Sequence, residues 1–129
     1  MQRVYMSQEG CPVARTLDII GDRWTILVLR DLFRDLSKFG DILQSLEGIS
    51  ANLLADRLKR LEQQDIVERV FYSDHPPRAK YQLTEKGQAL GPVLLAIGEW
   101  GVAYELNEEQ KANPALIDTT ARVRTAISR

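Results

Sequence analysis

SANLLADRLKRLEQQDIVERVFYSDHPPRAKYQLTEK, residues 50–86, reads as one helix, two strands joined by a proline-bearing tip, and the start of another helix. At about 100° per residue, Leu54, Leu58 and Leu61 share one face, with Leu53 at its edge. Asn52, Ala55, Asp56, Lys59 and Gln63 fall on the other. Ser50 has the chemistry of an N-cap, since its hydroxyl accepts from a free N–H of the first turn. Ile66 to Ser73 and Ala79 to Leu83 are rich in Val, Ile, Phe and Tyr, and predict a hairpin. The tip Asp74-His75-Pro76-Pro77-Arg78 is expected to stay out of the ladder, because neither proline has an N–H to donate. A capped helix with a polar outer face followed by a basic hairpin suits a nucleic-acid backbone.

Working outward, Pro12 predicts the first position of a helix with Cys11 as N-cap, ending near Gly21. Asp22 caps the next helix, where Trp24, Ile26, Leu27, Val28, Leu29, Leu32 and Phe33 are apolar almost all round, as in a central buried helix. Ser37 is expected to cap a short helix carrying Phe39, Ile42, Leu43 and Leu46, closed by Gly48. Thr84 caps a long final helix with Leu90, Val93, Leu94, Ile97, Trp100 and Tyr104 at helical spacing. Pro92 should kink or break it. Leu116, Ile117, Val123 and Ile127 suggest a weak further helix within residues 114–128. The expected fold is mainly α with a small β-hairpin wing: a winged helix-turn-helix. Its expected parts are an arm at 1–10, the domain with its dimerisation helix at 11–109, and a tail, helical or not, at 110–129.

With 129 residues, 44% hydrophobic and 27% charged, the composition is that of one ordinary globular domain. A net charge of −1 does not announce a nucleic-acid partner, so any footprint must come from local clustering of Arg and Lys. No apolar run approaches membrane-spanning length, and the first ten residues lack a signal-peptide centre. One cysteine excludes an internal disulfide and fits a reducing cytoplasm. One histidine and one cysteine make a zinc site an unpromising reading, and no cofactor motif appears.

In helix-turn-helix docking, residues at the start of the recognition helix reach base edges and later ones meet phosphates. That places Ser50, Ala51, Asn52, Ala55 and Asp56 nearest the bases, and Lys59 and Arg60 toward the backbone. Lys38, ahead of the preceding short helix, joins the DNA-facing set, as do His75, Arg78 and Lys80 from the wing. Asn52 suits a bidentate contact with adenine. Asp56 would repel phosphate and so should meet a base donor or a bridging water. Arg57 lands inside the leucine stripe and is expected to direct its guanidinium into an ion pair or onto a phosphate at the helix edge. Leu94, Ile97, Trp100 and Tyr104 are the expected two-fold homodimer contacts.

CPVARTLDIIGDRWTILVLRDL (11–32), KFGDILQSLEGISANLLADRLKRLEQQDIVER (38–69), YSDHPPRAKYQLTEKGQAL (72–90) and IGEWG (97–101) together resemble the HxlR family of bacterial regulators. The resemblance covers roughly residues 11–104. It implies a winged-helix transcription factor that binds operator DNA as a homodimer. It also implies recognition-helix duty for 50–63, wing duty for 74–80, and a sensing role for Cys11 toward oxidants or electrophiles. Two readings of Cys11 stand side by side. A thiol at a helix N-terminus near Arg15 is placed to react as thiolate, whereas free cysteine commonly packs as a small hydrophobe. Two other classes compete: a winged-helix protein-interaction module without DNA, and an enzyme built on Cys11 and His75, for which no oxyanion or cofactor loop is present.

Overall fold

The computed structural model describes residues 10–127, so the expected arm at 1–10 lies almost wholly outside the described residues. The elements are α1 (Pro12–Ile20), α2 (Arg23–Phe33), α3 (Phe39–Ser45), α4 (Ala51–Gln63), β1 (Val67–Asp74), β2 (Pro77–Leu83), α5 (Glu85–Gln88), α6 (Gly91–Glu105), α7 (Glu108–Lys111) and α8 (Pro114–Ile127). This is a winged helix-turn-helix: α3 and α4 form the helix pair, and the β1–β2 hairpin the wing.

The core collects where the sequence pattern places it. Val28 and Leu29 of α2, Ile42 of α3, Leu54, Leu58 and Leu61 of α4, and Ile66 and Val67 leading into β1 are all buried. The caps on α2 and α4 follow expectation: the Asp22 carboxylate accepts from Thr25 N–H at 2.8 Å, and Ser50 Oγ from Leu53 N–H at 3.1 Å. That on α3 does not. Lys38, not Ser37, is its N-cap, and no side chain caps it. Gly48, at φ +95°, serves the turn before α4; the end of α3 is at Leu46.

Two helix ends use a left-handed aspartate. After α4, Asp65 sits at φ 60°, its N–H reaches Glu62 O at 3.0 Å and Ile66 N–H reaches Leu61 O at 2.9 Å. That is a Schellman pair of bonds, with Ile66 and Leu61 meeting in the core. After α2, Asp35 at φ 64° does the same, with bonds to Leu32 O at 3.1 Å and from Leu36 N–H to Asp31 O at 3.0 Å. Asp31 itself is fully buried and accepts from Arg30 Nη2 at 3.1 Å.

The hairpin is longer than its prolines suggest. The antiparallel ladder runs to Ser73↔Arg78 and Asp74↔Pro77, leaving His75 and Pro76 as the loop. Pro77 is tolerated because it opens its strand, where a donor is dispensable. Between Phe71 and Ser73 the register slips, so Tyr72 is a bulge residue without a partner.

Thr84 caps only α5, its hydroxyl accepting from Gly87 N–H at 3.1 Å. Pro92 then stands in the first turn of a separate helix, α6, so it marks a break. Residues 114–127, read above as part of a tail, form α8, which packs on α6 and α2 and buries Val123.

Candidate nucleic-acid interface

The leucine stripe of α4 locks one side of that helix into the core and so fixes which side faces water. Ser50, Ala51, Asn52, Ala55, Asp56, Lys59 and Arg60 are all exposed. Asp56, expected to need a donor from outside, finds donors within the chain. Its carboxylate takes a hydrogen bond from Arg57 Nη1 and lies 3.3 Å from Arg60 Nε, one turn on. Arg57 behaves as its wheel position predicts: largely buried, it lies 2.7 Å from Asp22 Oδ2. Its Nε–H is not aligned with that oxygen and makes no hydrogen bond, so the contact is one of charge alone. It ties the start of α2 to the middle of α4. Lys59 makes no ion pair among the described residues.

Side chains tie the wing to the helix pair. Arg69 of β1 pairs with Glu62 of α4 at 2.8 Å, and its guanidinium lies 5.9 Å from the Phe71 ring. Lys38, the N-cap of α3, holds its ammonium 5.2 Å from the Tyr72 ring centre. Phe71 and Tyr72 are large, exposed aromatics that helix and strand periodicity passed over. The signal for Tyr72 is the bulge, which re-aims a side chain in a way alternation does not foresee. At the tip His75 and Arg78 are exposed, whereas Lys80 is half-buried and lines a cavity beside β2. Tyr81 donates its backbone N–H to Ser37 O at 2.7 Å, and burial, helped by Glu62, raises its phenol above the usual value, so it stays protonated.

On α6, Val93, Ile97, Trp100 and Tyr104 form an exposed apolar ridge, and the two aromatic rings lie 5.4 Å apart. Leu94 is not on that ridge. It is half-buried and faces a groove with Ile26, Leu27 and Val123. On α1, Val13 and Leu17 are exposed as well. Cys11 is partly buried at the α1 N-cap, and its thiol makes no capping hydrogen bond. Among the described residues no cluster of His, Cys, Asp and Glu is placed to hold a metal ion, and no helix is long and apolar enough to cross a membrane.

Residues 19–109 match the family described as HxlR-like helix-turn-helix. The HTH-type transcriptional regulator sll1512 of Synechocystis, itself uncharacterised, is 40% identical over 91 residues, 70% of this chain and 67% of that protein. The solved transcription-factor candidate PA1607 superposes with a TM-score of 0.72 at 42% identity, covering 79% of this chain and 70% of that one. The redox regulator HypR in its oxidised form superposes with a TM-score of 0.68 at 34% identity, covering 75% of this chain and all of HypR.

Proposed function

The chain belongs to the HxlR-like helix-turn-helix family and is a transcriptional regulator with a helix-turn-helix domain; from that premise we propose that it binds a near-palindromic operator as a two-fold homodimer. The observation that carries this reading is the exposed face of α4, where Ser50, Ala51, Asn52 and Ala55 precede Lys59, which has no ion pair among the described residues. The start of that face meets base edges, Asn52 reading adenine, while Lys59, Arg60, Lys38 and the wing residues His75, Arg78 and Lys80 meet the backbone. Asp56 organises Arg57 and Arg60 and need not approach phosphate itself. Two such helices related by two-fold symmetry would enter successive major grooves about 34 Å apart.

An electrophoretic shift with the DNA upstream of the protein's own gene tests this. With about three phosphates neutralised per subunit, log K should fall against log[salt] with a slope of roughly −5. Asn52→Ala should relax sequence choice by about 1–3 kcal/mol at one position of each half-site. Arg78→Ala should weaken all sequences alike and flatten the salt slope by about 1 per subunit. No shift with any upstream fragment would favour the protein-interaction reading.

Thiol control is a second reading, supported by Cys11 at the start of α1 and by similarity to HypR, whose description is that of a redox regulator. With one cysteine per chain, diamide would join Cys11 to Cys11 of the partner subunit, two thiols giving up two electrons and two protons to the diazene. A quinone would instead add to the thiolate as a thioether. Loss of operator binding on treatment should occur in the parent and be absent in Cys11→Ser. Equal loss in both removes the sensing role and leaves Cys11 as a packing residue.

A further inference from the structure

Two cations rest on aromatic rings of the wing, and they differ in what else they touch. The Arg69 guanidinium over Phe71 is also engaged by Glu62 at 2.8 Å. The Lys38 ammonium lies 5.2 Å from the Tyr72 ring centre and has no ion pair among the described residues. The ring covers one side of that ammonium. Lys38 is exposed, so its other N–H donors stay open to an acceptor from outside. Tyr72 reaches this position through the bulge. The register slips between Phe71 and Ser73, which leaves Tyr72 out of the ladder, 47% exposed. A bulge re-aims a side chain, and here it sets the ring beside the start of α3.

Lys38 is the N-cap of α3, the first helix of the pair, and in helix-turn-helix docking that helix crosses the phosphate backbone. A lysine loses more rotamer freedom than most side chains when a phosphate fixes it. A ring that already holds the ammonium removes part of that cost before DNA arrives. We infer that Tyr72 is a positioning residue for DNA binding: its ring face holds the Lys38 ammonium ready for a backbone phosphate at the start of α3. This role rests on the DNA-binding reading above and adds to it a residue that carries no charge. Tyr72 releases no counterions of its own, so any salt dependence it controls passes through Lys38.

Phosphate contacts carry no sequence information, so a fluorescein-labelled duplex of random sequence is a sufficient probe, read by anisotropy across a salt series. Lys38→Gln should flatten the plot of log K against log[salt] by about 1 per subunit. Tyr72→Leu should flatten it by most of that amount and weaken binding about two- to fivefold per subunit, the worth of an exposed cation–π contact. Tyr72→Phe keeps the ring and should match the parent within about twofold, with its slope intact. Added to Lys38→Gln, Tyr72→Leu should cost nothing further. In the chain without DNA, the ring should displace the Lys38 side-chain methylene signals upfield in the parent and in Tyr72→Phe. They should return to ordinary lysine positions in Tyr72→Leu. The parent's own methylene shifts decide the contact without any variant. Ordinary Lys38 shifts in the parent, an unchanged slope in Tyr72→Leu, an equal slope loss in Tyr72→Phe, or additive losses in the double variant overturn the positioning role and leave DNA binding standing. A parent with no salt-dependent affinity for any duplex removes the DNA-binding reading, and this role with it.

Discussion

Replacing both Ile97 and Trp100 by Glu is expected to yield a folded monomer whose operator affinity is at least about 100-fold weaker, the factor that linking two half-site contacts contributes. α6 is apolar almost all round, yet α2 and α8 cover only one of its sides. The other carries Ile97 at 49%, Trp100 at 58% and Tyr104 at 75% exposure, with Val93 one turn before. Their spacing of four, three and four residues is the seam spacing of paired helices. A two-fold axis beside the ridge would bring each side chain against the same ridge of the partner, an isologous contact needing no second surface. Each buried aromatic removes roughly 150–250 Å² from water, so two charges at the centre should disrupt the contact. Because these positions are exposed, the helix should keep its fold, which circular dichroism checks. Sedimentation at micromolar concentration reads the outcome. A parent that runs as a monomer, or a double variant that remains a dimer, removes the two-fold model of operator binding.

The parts of this molecule that were legible in sequence are those where residues close together in the chain decide the local structure. Leu54, Leu58 and Leu61 at helical spacing orient α4 without help from the rest of the chain, so the exposure of Asn52 and Lys59 follows. Asp22 and Ser50 cap because a side-chain oxygen three residues before a free N–H is a local arrangement. What stayed hidden depends on partners distant in sequence or on backbone states that composition does not announce. Asp35 and Asp65 adopt a conformation usually given to glycine, held by bonds closing the preceding helix and by the burial of Ile66. The wheel put Asp56 on the outer face but could not show that Arg57 and Arg60 would converge on it. Leu94 shares helical spacing with Ile97 and Trp100, and only the docking of α8 leaves it half-buried where they stay exposed, Ile97 at the rim of the same groove. Lys80 was legible as a wing cation, while the cavity beside it required α8 to be placed.

Gly87→Ala is expected to destabilise the fold by about 3 kcal/mol, the upper part of the range for inserting one methyl into a packed site. Gly87 lies in α5 beneath the junction of α4 and β1, and a Cβ there would stand 2.1 Å from the Ile66 carbonyl oxygen. That oxygen cannot retreat cheaply. It accepts from Thr84 N–H at 3.0 Å, the Ile66 N–H is spent on Leu61 O at 2.9 Å, and the Ile66 side chain is in the core. The Gly87 N–H is also engaged, by Thr84 Oγ1. A methyl group would therefore have to push α5 off the hairpin base, breaking the Thr84 bonds that start the chain toward α6. The same exchange at Gly40, in α3 with nothing within 4 Å of its would-be Cβ, should have the opposite sign, a gain of about 0.5–1 kcal/mol from helix propensity alone. Urea unfolding of the two variants beside the parent reads both. If Gly87→Ala unfolds at the parent's midpoint, α5 does not clamp the wing to the end of α4. If it falls and Gly40→Ala rises, the glycine of the LTEKG segment is explained by the carbonyl above it.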